Sequence, residues 1–152
     1  MDDQILKLDE HTDPATKQML QNVVKRKKKF DQYKAKHLFV MSCTLFFTFI
    51  YFIYLYLTIV KPFSYSFSAM FSAYVGHSAN LYFLIITMGT YGLMNVFKVK
   101  MDKAEKEFHA IRCEVIDKSK DLWNKEESWS NRHLVFEMMK KQYDINLFHE
   151  NK

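Results

Sequence analysis

Glu105, His109 and Cys113 recur at four-residue intervals, and their carboxylate, imidazole and thiol are donor types used in metal sites. A four-residue step stacks them on one helix face. Metal sites usually draw ligands from more than one element, however, and no CxxC or HxxxH pattern accompanies the three. In the heptad frame developed below, this face points away from the apolar stripe and toward water. The expectation is a solvated helix face, with no metal and no other cofactor; His133 and Glu137 read the same way. No activated nucleophile, phosphate-binding glycine loop or paired carboxylates can be assembled, so no catalytic residue is assigned and the chain is expected not to be an enzyme.

The second constellation is cationic. Lys25, Arg26, Lys27, Lys28 and Lys29 are consecutive, and Lys34 and Lys36 follow. Two kinds of phosphate could attract them. A nucleic-acid partner would need aromatic or base-reading groups interleaved with the charge, and only Phe30 and Tyr33 are near, so nucleic acid is not expected. Anionic inner-leaflet lipid attracts each cation near its surface by about 1 kcal/mol, which makes all seven candidate lipid contacts. The plainer alternative is that they only fix membrane topology.

A topological role presupposes membrane spans, and the partition of charge supplies them. From His37 to Val60 and from Pro62 to Phe97 there is no Asp, Glu, Lys or Arg; Lys61 alone separates the two stretches. Leu38 to Val60 is 23 residues, roughly 35 Å as a helix at about 1.5 Å per residue, which exceeds a hydrocarbon core of about 30 Å. Ala79 to Phe97 is 19 residues, just enough. Both are apolar all round, and a chain of 152 residues cannot wrap two such segments in its own polar material. The 20 residues before His37 hold 8 Lys or Arg, the 20 after Phe97 hold 5, and the connecting segment has only Lys61. The positive-inside rule then places both termini in the cytoplasm.

The expected fold is all-α: a two-pass α-helical membrane protein, an antiparallel transmembrane hairpin with cytoplasmic amphipathic helical extensions. Its parts are an acidic N-terminal tail (1–13), a basic amphipathic helix (14–36) starting at an Asp13 cap with Pro14 in the first turn, transmembrane helix 1 (38–60), an external aromatic and serine loop (61–78), transmembrane helix 2 (79–97), a cytoplasmic helical region (98–145, helical over about 98–123 and 131–145) and a frayed tail (146–152). In the loop, Phe63, Phe67, Met70, Phe71 and Tyr74 fall within one helical arc, which suits an interfacial helix; strand-like alternation over Phe63, Tyr65 and Phe67 fails beyond Ser68. Ser128 or Ser130 is the expected cap of the last helix. The first apolar run begins too late and runs too long for a signal peptide. Cys43 and Cys113 lie in different regions and imply no disulfide.

Within the second span Gly89, Gly92 and Asn95 are small or polar and are candidate helix-packing positions, against the first span or a second copy. No acidic residue lies in either span, which argues against a pump or coupled transporter. Beyond it, Met101, Phe108, Val115 and Leu122 are seven apart, with Ala104 and Ile111 between them and Lys118 breaking the last repeat. Such a stripe must be covered by the N-terminal helix, the C-terminal helix or a second copy in a coiled coil; its shortness favours the bundle within one chain.

The run MDDQILKLDEHTDPATKQML, the junction KRKKKFDQYKAKHLF and the two-span layout together resemble the YpbF-type family of uncharacterised small membrane proteins of spore-forming Gram-positive bacteria. The resemblance implies a bacterial cell membrane and carries no functional residues across. The functional expectation is a non-enzymatic interaction or scaffold protein that presents helices at the cytoplasmic membrane face; the alternative is a small oligomeric pore or holin-like protein. Its expected partners are a bilayer with anionic inner-leaflet lipid and either a second copy of the chain or another membrane or cytoplasmic protein.

Overall fold

The computed structural model describes Ile5, Leu8 and residues 12–124 and 126–148. All regular structure among them is helical. Helix α1 spans Pro14–Leu55 and continues as a π-helical turn, Tyr56–Val60; α2 is Phe67–Gly76, α3 Ser78–Asp117, α4 Ser119–Leu122 and α5 Glu126–Tyr143. Two of these stretches, Pro14–Val60 and Ser78–Asp117, are long and apolar enough to cross a bilayer. The chain divides into two compact units, one of Met1–Tyr33 with Met101–Lys152 and the other of Lys34–Lys100.

Helix α1 begins where the Asp13 carboxylate accepts a hydrogen bond from the Ala15 amide at 3.3 Å. Pro14 sits in the first turn, where its missing N–H costs nothing. No glycine or proline follows until Pro62, which explains the length of the helix. At its end the Lys61 amide donates to the Tyr56 carbonyl, five residues back, at 2.9 Å, and Pro62 prevents further winding.

The first unit is a small helical bundle. Leu20, Val23 and Val24 of α1, Phe108 and Val115 of α3, Trp123, and Val135, Phe136 and Met139 of α5 form one buried cluster, joined by Ile5, Ile145 and Leu147. The Phe30 and Phe108 rings lie parallel at 6.4 Å, and the Thr16 hydroxyl donates to the Leu122 carbonyl at 3.3 Å. Of the heptad stripe, Ala104, Phe108 and Val115 are buried, while Met101, Ile111 and Leu122 are half-buried. The stripe is therefore covered from within its own chain.

Several boundaries differ from the sequence expectation. The helix expected over 98–123 stops at Asp117, turns at Lys118 and resumes for one turn as α4. Lys118 occupies what would be the next apolar position; its ammonium leaves the core to meet Glu114 at 2.7 Å, and Trp123, only 2% exposed, fills the bundle instead. The last helix begins at Glu126 rather than near 131, because Glu126 and Glu127 suit the positive end of the helix dipole. Ser128 and Ser130 consequently lie within α5 instead of capping it. Of the expected acidic tail, residues 1–4, 6–7 and 9–11 lie outside the described residues. Ile5 is fully buried, and Asp144, at a φ of 55°, turns the chain so that Leu147 is buried and Phe148 packs edge-on against Phe136 at 5.4 Å. Residues 149–152 of the expected frayed segment lie outside the described residues.

In the second unit the Tyr51 and Tyr54 rings pack on Phe83 at 5.4 and 5.2 Å. The Tyr51 and Tyr74 hydroxyls are 3.2 Å apart, and the Asn80 amide donates to the Tyr74 carbonyl at 2.7 Å. Helix α2 starts at Ser66, whose hydroxyl accepts from the Ala69 amide at 3.5 Å. Its expected aromatic arc splits: Phe67 and Phe71 are exposed, while Phe63, just before the helix, Met70 and Tyr74 are half-buried. The serine and threonine hydroxyls of the apolar runs bond to their own helices. Ser42, Thr44, Thr48, Thr58 and Thr87 each donate to the carbonyl four residues earlier, at 2.7 to 3.0 Å, and Thr90 donates to that of Thr87.

Candidate functional site

The five consecutive cations cannot share one environment, since each step along a helix turns the side chain by about 100°. Lys27 falls in line with Leu20, Val23 and Phe30 and turns toward the core. Its side chain is 15% exposed, its ammonium sits 5.7 and 5.8 Å from the Phe30 and Phe108 ring centres, and it meets Asp31 at 3.1 Å and Asp144 at 3.6 Å. Lys27 is thus removed from the seven expected lipid contacts, because helical periodicity assigns it to the bundle.

Lys25, Arg26, Lys28 and Lys29 are exposed and line one side of a cleft of about 720 Å³. Gln21, Asn22 and Gln32 add carboxamides to its wall, and Val24 and Ile111 are its apolar lining. Two rows emerge from the helical spacing: Gln21, Lys25, Lys28 and Gln32 in one, Asn22, Arg26 and Lys29 in the next. Glu107 of α3 pins the second row, meeting Arg26 at 2.5 Å and Lys29 at 3.2 Å. The hydrogen bond from Lys29 holds the Glu107 carboxyl below the usual glutamate range, and the charges of Lys29, Arg26 and Lys103 add to the effect. The Lys28 ammonium lies 5.9 Å from the centre of the Tyr143 ring. Lys34 and Lys36 are exposed too, but belong to the other unit and do not line the cleft.

The other sequence candidates fall elsewhere. Glu105 and His109 are 3.8 Å apart, Cys113 is half-buried, and no group of three or more His, Cys, Asp or Glu side chains converges among the described residues. Gly89, Gly92 and Asn95 are all exposed, and a Cβ built at either glycine would meet nothing within 4 Å. The ring contacts between the apolar stretches run through Phe83, and no side chain of the first span lies within 4 Å of a Cβ built at Gly89 or Gly92. Residue size alone favours the two glycines over Phe83, the ring that makes the contact. The carboxamides of the cleft were missed as well; their four- and three-residue offsets from the lysines were the available signal.

No solved structure matches this chain. Sequence comparison is more informative. The uncharacterized protein YpbF of Bacillus subtilis (strain 168) is 37% identical over 145 residues, which cover 95% of either chain. A family model described as "Protein of unknown function (DUF2663)" matches residues 19–150. Joined by nearly its whole length to that model and to YpbF, the chain belongs to the DUF2663 family.

Proposed function

We propose that this chain is an integral membrane protein with two spans and both termini cytoplasmic, and that it acts without catalysis, presenting the Met1–Tyr33 and Met101–Lys152 unit for interaction at the inner membrane face. The observation that carries the reading is the exposure of its apolar helices. Only 11% and 6% of the residues in their most apolar windows are buried within the chain. A core helix of a soluble protein would be mostly covered. Phe39, Leu45, Phe46, Phe49, Phe52, Leu81, Tyr82, Ile85 and Met88 are all exposed, and each large apolar side chain left in water forgoes roughly 1.5–3 kcal/mol. Lipid tails remove that cost. The hydroxyls bonded to their own carbonyls support the same environment, since donors in hydrocarbon need internal partners. The distribution of lysine and arginine supports the orientation, and the exposed cations of α1 are suited to anionic headgroups.

Two measurements test this. Membranes containing the chain are washed with alkaline carbonate, and the protein is expected in the pellet; its release would overturn the membrane reading. Orientation is tested with Cys43 and Cys113 replaced by serine and a single cysteine introduced as Ser64→Cys or Ser130→Cys. A membrane-impermeant maleimide added to intact cells is expected to label the first and to reach the second only after permeabilisation. The reverse pattern would overturn the orientation.

A further inference from the structure

We propose that the cleft along α1 is a binding site for a phosphate-bearing anion of at least two negative charges. This deepens the reading of the exposed cations given above, and rests on it only where the anion is a lipid headgroup. Three observations converge. Among the described residues the polar lining consists of four cations and three carboxamides and contains no carboxylate. Cations and amides are both donors to phosphoryl oxygens, and the amides can also accept from hydroxyls on the rest of the molecule. Their spacing is the second observation: neighbours three or four apart on a helix stand about 5–6 Å from one another, close enough for two donors to share one phosphate. The third is how the bundle treats its other cations. Lys27 and Lys118 each have a carboxylate within 3.1 Å, whereas among the described residues none pairs with Lys25. Glu107 takes Arg26 and Lys29 together and so fixes both heads at one edge of the cleft.

The size and lining of the cleft narrow the class. About 720 Å³ suits a small molecule or a headgroup, within the common range of about 300–1,000 Å³ for ligand sites. A single-stranded nucleic acid would call for stacking rings, and among the described residues no aromatic one lines the cleft. The chemistry common to a phosphomonoester lipid headgroup and a soluble phosphate compound is what the donors recognise.

The full chain, purified in neutral detergent, is titrated calorimetrically with inorganic pyrophosphate and separately with mixed micelles of phosphatidic acid, against phosphatidylcholine micelles. Saturable binding of at least one of the two anionic probes is expected. The double variant K25Q/K28Q should weaken it about tenfold or more, as loss of two charge-assisted hydrogen bonds implies. Both residues are exposed, and unchanged tryptophan fluorescence will show that the variant is folded. K34Q/K36Q removes the same charge outside the cleft; it should leave the pyrophosphate affinity within about twofold, and should weaken phosphatidic acid binding less than K25Q/K28Q does. Pyrophosphate binding supports a soluble phosphate as sufficient ligand, and binding of phosphatidic acid alone supports a headgroup. Failure of both probes, or an equal loss in K34Q/K36Q, overturns the proposal. Release by carbonate would sink the membrane reading while leaving the pyrophosphate result standing.

Discussion

Replacing Lys27 by alanine should destabilise the bundle far more than the same change two residues earlier. Its two ring contacts are each worth about 0.5–1 kcal/mol when exposed and more when water is excluded, as it largely is here. The pair with Asp31, four residues on and half exposed, adds about 0.3–0.5 kcal/mol. Asp144 is 95% exposed, and its attraction is screened to almost nothing. Each buried methylene of the stem contributes about 0.8 kcal/mol. With even one methylene of the stem buried, these give at least about 2 kcal/mol for Lys27→Ala, whereas Lys25→Ala, at an exposed position, should stay within about 0.5 kcal/mol. Lys27→Met, which retains the stem, should cost roughly half as much as the alanine change. The two tryptophans of the chain, Trp123 and Trp129, both lie in this unit, so fluorescence during urea unfolding in detergent reports on it alone. With slopes of about 1–3 kcal/mol per molar urea, the midpoint should fall by roughly 1 M. Equal midpoints for Lys27→Ala and Lys25→Ala would refute the assignment of Lys27 to the core.

The same assay reads three further changes. Met139→Ala, at a fully buried position, should cost about 2–5 kcal/mol, while Leu134→Ala, on the exposed side of the same helix, should stay within about 0.5 kcal/mol. Asp144→Gly should be more stable than Asp144→Ala by about 1 kcal/mol, because the positive φ is free for glycine and strained for alanine. Glu107 is held below its ordinary value of 4.5, so its contribution is present above that value and lost as pH falls through the lower, folded one. Glu107→Gln should therefore flatten the acid side of a stability-against-pH profile below about pH 4.5 and leave its alkaline side unchanged.

Long elements were the most legible part of the fold. Asp13-Pro14, the absence of glycine and proline up to Lys61, and Pro62 are local signals, and each acts where it stands. The seven-residue repeat of Met101, Phe108 and Val115 was equally plain, since it depends only on the period of a helix. What covers that stripe was not, because three surfaces fitted it and the choice depends on tertiary packing. Trp123 escaped notice for a related reason. It lies one residue beyond the expected repeat, and only the turn at Lys118 brings it inward. Near the termini, acidic or polar neighbours conceal Ile5 and Leu147, whose burial depends on the rest of the bundle. As for the site, a run of five cations read as one feature dissolved into four that line a cleft and one that props up a core. Extending the period of Leu20 and Val23 by one turn would have separated them.

With the serine and threonine hydroxyls turned back onto backbone carbonyls, the apolar helices present a surface mostly of aliphatic and aromatic side chains. Such a surface selects by relief: the bulge of a phenylalanine or the dent at Gly89 and Gly92 is what a neighbouring helix could fit. Recognition of that kind is indifferent to ionic strength, whereas attraction to the cations of α1 fades as salt rises. The two halves of the sequence therefore answer to separate variables, contour in one and electrolyte in the other.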